Sequence, residues 1–213
     1  MPKISTEQRQ ARRDQILTAA LKCFSRDGFH QTTMADIVRE SGLSQGTLYL
    51  YFKSKDDLIA AIAEGRHQRE AALNAQAEGA QSPLQGILLL CRLYASRLSE
   101  PANADGLRVS LQGWAEALRN ERVQTGVLEG VRLARSALVR VIRRGQKQGM
   151  FRKKLDAAAV ARVLIAIFQG FVLQAAWEPG QDLESCFAMI EELVPKLLLE
   201  PMQDRKLSGE KLR

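Results

Sequence analysis

At 213 residues, with 46% hydrophobic and 26% charged, the chain is large enough for one sizeable domain or for a small domain fused to a larger one, and too apolar for global disorder. The net charge of +7 favours polyanionic partners, nucleic acid or an anionic membrane surface, without choosing between them. Cys23, Cys91 and Cys186 are scattered and odd in number, so neither a disulfide framework nor a zinc site is read and a reducing compartment fits.

The first fifteen residues are polar and charged, with no apolar stretch that would mark a secretory signal. Apolar runs such as 86–91 and 163–168 fall short of the roughly 18 residues that a spanning helix needs. The expectation is a cytoplasmic protein with no membrane partner.

In chain order, almost every segment reads as helix. Over residues 6–27, Ile16, Ala20, Cys23 and Phe24 recur at helical spacing. Ser5 with Gln8 forms a capping box at the start, and Asp27-Gly28 ends the segment. Thr33 with Asp36 opens a short helix to about Glu40. Ser44 caps a second over 45–51, and Ser54 with Asp57 opens a long third helix to about Ala77. Ser82-Pro83 starts a helix to Ser99. Further helices are expected over 104–118, 121–147, 156–177 and 182–199, with breaks at Gly149 and Pro179-Gly180. The prolines are read at helix ends. The fold class is all-α. Residues 1–54 form an N-terminal three-helix unit, 55–200 a larger helical domain, and 201–213 a polar tail.

The stretch from Thr33 to Leu58 carries the chemistry. Two short helices are joined by a tight turn at Ser41-Gly42-Leu43, which is a helix-turn-helix. Leu43, Leu48 and Phe52 are expected to face inward. Gln45, Gly46, Thr47, Tyr49 and Tyr51 are expected to face outward, behind the cap Ser44. This set suits DNA. Gln45 at the helix start can bond an adenine edge in bidentate fashion, and Thr47 offers a methyl for thymine. Gly46 lets the backbone approach closely. Tyr49 and Tyr51 can donate to phosphates, Lys53 and Lys55 add charge at the groove edge, and Thr33 can offer its N–H and hydroxyl. The plain alternative is a helical hairpin inside a larger fold.

Residues 12–58 resemble the N-terminal domain of the TetR (tetracycline-repressor) family of bacterial regulators. The matching features are Gly28-Phe29 after a long first helix, then TMADI at 33–37, GLSQGTLY at 42–49, and YFKSK at 51–55. Family members commonly carry Tyr or His where Tyr51 stands, while Leu50 replaces a tyrosine found in some. The resemblance implies a repressor that binds double-stranded operator DNA as a homodimer and responds to a small molecule. The rest of the chain is similar to the family in plan only, which implies a ligand-binding and dimerisation domain of divergent sequence.

That plan directs attention to two sets of residues. The last two long helices pair across the two-fold in the family, which would put Ala159, Val163, Ala166, Gly170, Cys186, Ile190 and Leu193 at a dimer interface; the alternative is packing within the chain. Cys91, Tyr94, Trp114, Phe168, Phe171 and Trp177, with Arg108 and Gln112 for polarity, are candidates for an effector cavity; the alternative for each is plain core. Few ionisable groups are expected near them, so a hydrophobic or aromatic effector is expected. Residues 131–154 hold many cations and no acid, read as a solvated helix face rather than a second DNA surface. His30 and His67 have no carboxylate or cysteine at metal-ligand or catalytic spacing, so no metal site, cofactor or catalytic triad is assembled. The rivals are a regulator controlled by a partner protein and a helical enzyme with an incidental helix-turn-helix.

Overall fold

The computed structural model describes residues 5–100, 103–178, 180 and 183–199; the polar tail expected at 201–213 lies outside them. The described residues form α1 (Thr6–Gln31), α2 (Met34–Ser41), α3 (Gln45–Tyr51), α4 (Lys55–Gly79), α5 (Pro83–Ser99), α6 (Ala104–Glu116), α7 (Glu121–Lys147), α8 (Ala157–Trp177) and α9 (Glu184–Leu198). The fold is all-α. Its one extended contact among them is a single antiparallel bridge between Phe151 and Leu199.

Local chemistry sets the helix starts. The side chains of Ser5, Thr33, Ser44, Ser54 and Ser82 each accept from a backbone N–H three residues on, satisfying a donor that the helix leaves unpaired. Gly28 has φ 79° inside α1, so the helix kinks there and resumes for one more turn. Gly42 closes α2 in the left-handed region at φ 66°, which turns the chain sharply into α3.

Proline placement differs from expectation at one site. Pro195 lies inside α9. It sits near the helix end, where a missing N–H disturbs only the last turn. That turn is held from outside, because the Arg152 guanidinium donates to the Leu197 carbonyl and the Arg152 N–H to the Leu198 carbonyl at 2.8 Å.

Three apolar clusters organise the molecule. The first joins α1, α2 and α3 through Ile16, Phe24, Ile37, Leu48 and Phe52, and takes in Leu58 and Ala61 of α4 and Val109 of α6. The second packs α4, α5, α7, α8 and α9 around Ile87, Leu90, Val141, Ile142, Ala161 and Leu198. The third, smaller one gathers Leu98, Val172, Leu183 and Phe187. Between α4 and α5 the backbones nearly touch: a β-carbon on Gly86 would stand 2.3 Å from the Ala77 carbonyl oxygen.

Taken as a helix rather than as an unbroken apolar run, α8 is long and apolar enough to cross a membrane, with mean hydropathy 1.8 over its most apolar stretch. Its inner face packs Val160, Ala161, Leu164, Phe168 and Val172 on the domain. Its outer face leaves Val163 50% exposed and Trp177 71% exposed.

Candidate nucleic-acid interface and ligand cavity

The helix-turn-helix is built on Leu48, which is fully buried, with Phe52 beneath it and Leu43 alongside. Fixing those side chains inward decides which face of α3 is free. Ser44, Gln45, Gly46 and Leu50 are exposed, and Thr47 and Tyr49 are half-exposed. The Ser44 hydroxyl accepts from the Thr47 N–H at 3.2 Å and lies 2.8 Å from the Thr47 hydroxyl. The Thr47 hydroxyl is thereby occupied and its methyl is the group left to present. The Gln45 amide has no partner among the described residues.

Three of the residues expected to face DNA are committed elsewhere. The Thr33 N–H and hydroxyl both donate to the Asp36 carboxylate, at 2.9 and 2.6 Å. These bonds, the hydroxyl's first, hold the Asp36 carboxyl below its usual value. Thr33 is therefore a cap rather than a free donor. The Lys55 ammonium donates to the Thr32 carbonyl at 3.1 Å, tying the start of α4 to the α1–α2 turn. Tyr51 is half-buried against the cluster of the first three helices, because three residues of helix turn it only about 60° from Leu48.

Besides Lys53, which the sequence singled out, Leu50 and the arginines of α1 are free on or near this face. Leu50 is 75% exposed beside Gln45 and Gly46, an apolar group with no packing partner to explain it. The Arg13 guanidinium lies over the Phe52 ring, 5.6 Å from its centre, and Arg9, Arg12 and Lys53 are exposed. The signal for the arginines was present in the basic run of residues 9–13.

The C-terminal helices, with Leu21 and Phe29 of α1, line a partly open cavity of about 670 Å³. Cys91, Tyr94, Trp114, Phe168 and Phe171 all line it. Tyr94 stacks on Phe168 with ring centres 4.4 Å apart. Burial pushes the Cys91 thiol up to about 11 and the Tyr94 phenol up to about 12, so both stay protonated. Trp177 does not line the cavity. Nine residues from Phe168 to Trp177 are about two and a half helical turns, which puts the indole on the opposite face. Ile190 is the converse case: it lines the cavity and packs on the inner cluster, while Leu193 of the same helix is 48% exposed.

The cavity wall is more ionisable than the sequence led one to expect. Arg66, His67, Arg69 and Glu70 of α4, Arg97 of α5 and Glu129 of α7 all line it. Their spacing on α4 follows one helical face, a pattern hidden in a polar helix. The His67 ring is pressed onto α7, where a β-carbon on Gly130 would stand 2.5 Å from its Nε2. That nitrogen has no hydrogen-bond partner. Burial first, and Arg66 second, lower the His67 pKa. Arg108 and Gln112 take no part in the wall; the Gln112 amide instead donates to the Phe24 carbonyl at 3.0 Å.

That bond belongs to a seam between α6 and α1. The buried Ser25 hydroxyl donates to Asp105 at 2.6 Å, and His30 meets Glu116 at 3.0 Å. Leu107, Ser110 and Trp114 of the same helix line the cavity. So both α4 and α6 touch the cavity on one side and the core of the first three helices on the other.

Comparison with known proteins bears on this arrangement directly. Residues 16–62 match the family described as bacterial regulatory proteins, tetR family, and residues 92–199 match the C-terminal domain of BetI-type transcriptional repressors. A transcriptional regulator of Bacillus subtilis, YfiR, is 31% identical over 180 residues, which is 83% of this chain and 85% of its own length. The chain belongs to the TetR family. It is therefore a DNA-binding transcriptional regulator. Two solved TetR-like folds superpose well. SmeT of Stenotrophomonas maltophilia, in complex with triclosan, has TM-score 0.77 at 24% identity over 96% of this chain and 100% of its own. A regulator from Saccharomonospora viridis in complex with choline has TM-score 0.75 at 26% identity over 91% of this chain and 100% of its own.

The basic segment after α7 begins has structural employment in this TetR-family chain. Arg132 pairs with Glu129, and Arg140 with Glu78 at 2.6 Å. Arg144 donates to the carbonyls of Glu78 and Ala80 at 2.5 and 3.1 Å, closing the C-terminal end of α4. Among the described residues no group of three or more metal-ligating side chains comes together.

Proposed function

We propose that this TetR-family protein is a cytoplasmic, homodimeric repressor released from operator DNA by a small molecule held in the cavity. The supporting observation is the double connection of the cavity to the reading head. Helix α4 carries Leu58 and Ala61 into the head's core and Arg66 and His67 into the cavity wall; α6 carries Val109 into that core and Trp114 into the wall. A ligand that favours one arrangement of α4 and α6 therefore changes the position of α3. It releases DNA only to the extent that it binds the non-binding arrangement better. The chain acts by binding, with no catalytic role.

On DNA, Gln45 reads a base edge, Gly46 allows close approach, and the Thr47 methyl and Leu50 meet thymine methyl groups or sugar. Ser44, Tyr49, Lys53 and the exposed arginines of α1 hold phosphates. Thr33, Tyr51 and Lys55 shape the head rather than contact DNA. Reading belongs to residues 1–54 and sensing to 55–200. The dimer forms through the outer faces of α8 and α9: Ala159, Val163, Ala166, Gly170 and Trp177, with Cys186 and Leu193. These apolar groups stand exposed or half-exposed in the single chain. Two-fold symmetry makes the operator a near-palindrome. The effector has an apolar or aromatic body, matching Tyr94, Trp114, Phe168 and Phe171. The test is a gel shift of the purified protein on the DNA upstream of its own gene, followed by a compound screen for release. Sequence-specific retardation that a cavity-binding compound abolishes is expected. Specific DNA binding that is unchanged by every compound that raises the melting temperature would overturn the ligand-responsive reading.

A further inference from the structure

The charges of the cavity wall are not evenly matched. Asp56, Glu64, Glu70 and Glu129 line it together with Arg66, Arg69, Arg97 and Arg122. Four of these eight are spoken for. Arg122 lies 3.3 Å from Asp57, Glu129 is held by Arg132, and Arg66 lies 3.4 Å from Glu70 and donates to the Ser110 hydroxyl at 3.0 Å. Arg69 and Arg97 have neither an ion pair nor a side-chain hydrogen bond among the described residues. Asp56 is no counter-ion for them, since it lies about 20 Å further down α4 from Arg69, and Glu64, five residues before Arg69, stands about 140° away from it around the helix. The groups whose charge acts on the Arg69 guanidinium are Arg97, Glu70 and Arg66, and burial together with Arg97 pulls its pKa down. Two guanidiniums on one cavity wall repel each other, and an anion between them reverses the sign of that interaction.

The apolar side of the cavity begins directly beside this pair. Glu70 first, then Arg97 and Arg66, act on the hydroxyl of Tyr94, whose ring rests on Phe168. Phe171, Leu164 and Ile190 continue the wall inward. The Tyr94 hydroxyl, protonated and without a partner among the described residues, is a free donor at the border between the two zones.

We propose that the effector is an amphipathic anion, with an apolar body against α8 and α9 and a carboxylate or similar anionic headgroup between Arg69 and Arg97. This rests on the cavity being the effector site. A planar carboxylate accepts paired N–H bonds from a guanidinium fork, and a second fork completes its coordination. An aromatic wall alone would also suit a quaternary ammonium. The unpaired arginines on the cavity wall select against one.

Three probes share a tail and differ in headgroup: decanoate, decanol and decyltrimethylammonium. Each is titrated into the full-length protein while the tryptophan emission is followed, since Trp114 lines the cavity. Decanoate is expected to bind about tenfold more tightly than decanol, and the ammonium most weakly. Arg69→Gln with Arg97→Gln should abolish the preference, bringing decanoate down to the level of decanol. The lysine pair, Arg69→Lys with Arg97→Lys, should keep part of it, and thermal melts report whether each variant folds. Equal affinity for all three probes, or a preference that survives the glutamine pair, overturns the anion assignment and leaves the cavity as an effector site. Binding of none of them overturns both readings.

Discussion

Gln45 stands at the first turn of α3 with its amide unengaged, while the hydroxyl of Thr47 behind it is held by Ser44. In the proposed docking a side chain in that position reads one base pair, whereas Tyr49 and Lys53 meet a backbone that is the same at every sequence. Gln45→Ala should relax preference at one position per half-site, by about 1–3 kcal/mol if the contact is bidentate. Tyr49→Ala should weaken all sequences alike. Titration of both variants over a panel of single-base operator changes separates the two patterns; a Gln45→Ala profile parallel to wild type would remove Gln45 from base reading. His67 provides a prediction in pH. Its folded pKa is lowered by burial and Arg66, with Glu70, Glu129 and Glu64 opposing. The unfolded chain therefore binds a proton that the folded chain refuses. Stability is full above the ordinary value of 6.5 and falls as pH drops from there toward the folded pKa. Melts taken between about pH 7 and about pH 5 should show this loss, and His67→Gln should flatten that part of the curve. At this scale the caps were legible because a cap is a local event, decided within three residues. Thr33 was legible as a cap, and its N–H and hydroxyl are spent in that role on Asp36; the settings of Tyr51 and Lys55 were hidden, because the core that half-buries the one and the Thr32 carbonyl that holds the other come from the fold.

At the level of elements, helix positions followed from apolar spacing and from the Ser, Thr and Gly signals that bound them, so each start falls close to where the residues put it. What spacing does not reveal is where helices cross. Gly86 looks like an ordinary helical glycine, yet it is the point where α5 meets the end of α4. Gly86→Ala would drive a methyl into the Ala77 carbonyl, and should destabilise the protein by about 1–3 kcal/mol or more through overpacking. Urea unfolding at constant m-value measures it, and an unchanged midpoint would contradict the close approach. The α1–α6 seam was equally hidden, because Ser25, Asp105 and Gln112 are unremarkable polar residues in sequence, separated by about eighty positions in the bond from Ser25 to Asp105. If α6 transmits ligand binding, Ser25→Ala with Gln112→Ala should leave DNA affinity without ligand near wild type. It should raise the effector concentration for release several-fold, since each bond contributes about 1 kcal/mol of coupling. A release curve identical to wild type would leave α4 as the sole connection.

Across the whole molecule, the all-α architecture was legible and the lining of the cavity was legible only in part. Five of the six cavity candidates line the cavity, because an aromatic on the inner face of α5, α6 or α8 has nowhere else to go. Trp177 was misplaced because α8 is apolar on both faces, and an all-round apolar helix does not announce which side meets its own domain. That same ambiguity defines the last prediction. A β-carbon on Gly170 meets nothing within 4 Å in the single chain, and Gly170 lies on the side of α8 that carries Val163 and Trp177. In an isolated subunit, Gly170→Leu should therefore be tolerated, even favoured by about 1 kcal/mol of helix propensity. Across a two-fold it is a different substitution, because a leucine there holds the partner helix away from the small residues Ala159, Ala166 and Gly170. The expected outcome is a folded, helical protein that sediments as a monomer at micromolar concentration. It should also lose operator affinity with its reading head intact, since two linked heads bind far more tightly than one. Circular dichroism, sedimentation and gel shift on one preparation decide it: a dimer with full operator affinity would move the subunit interface off this face of α8.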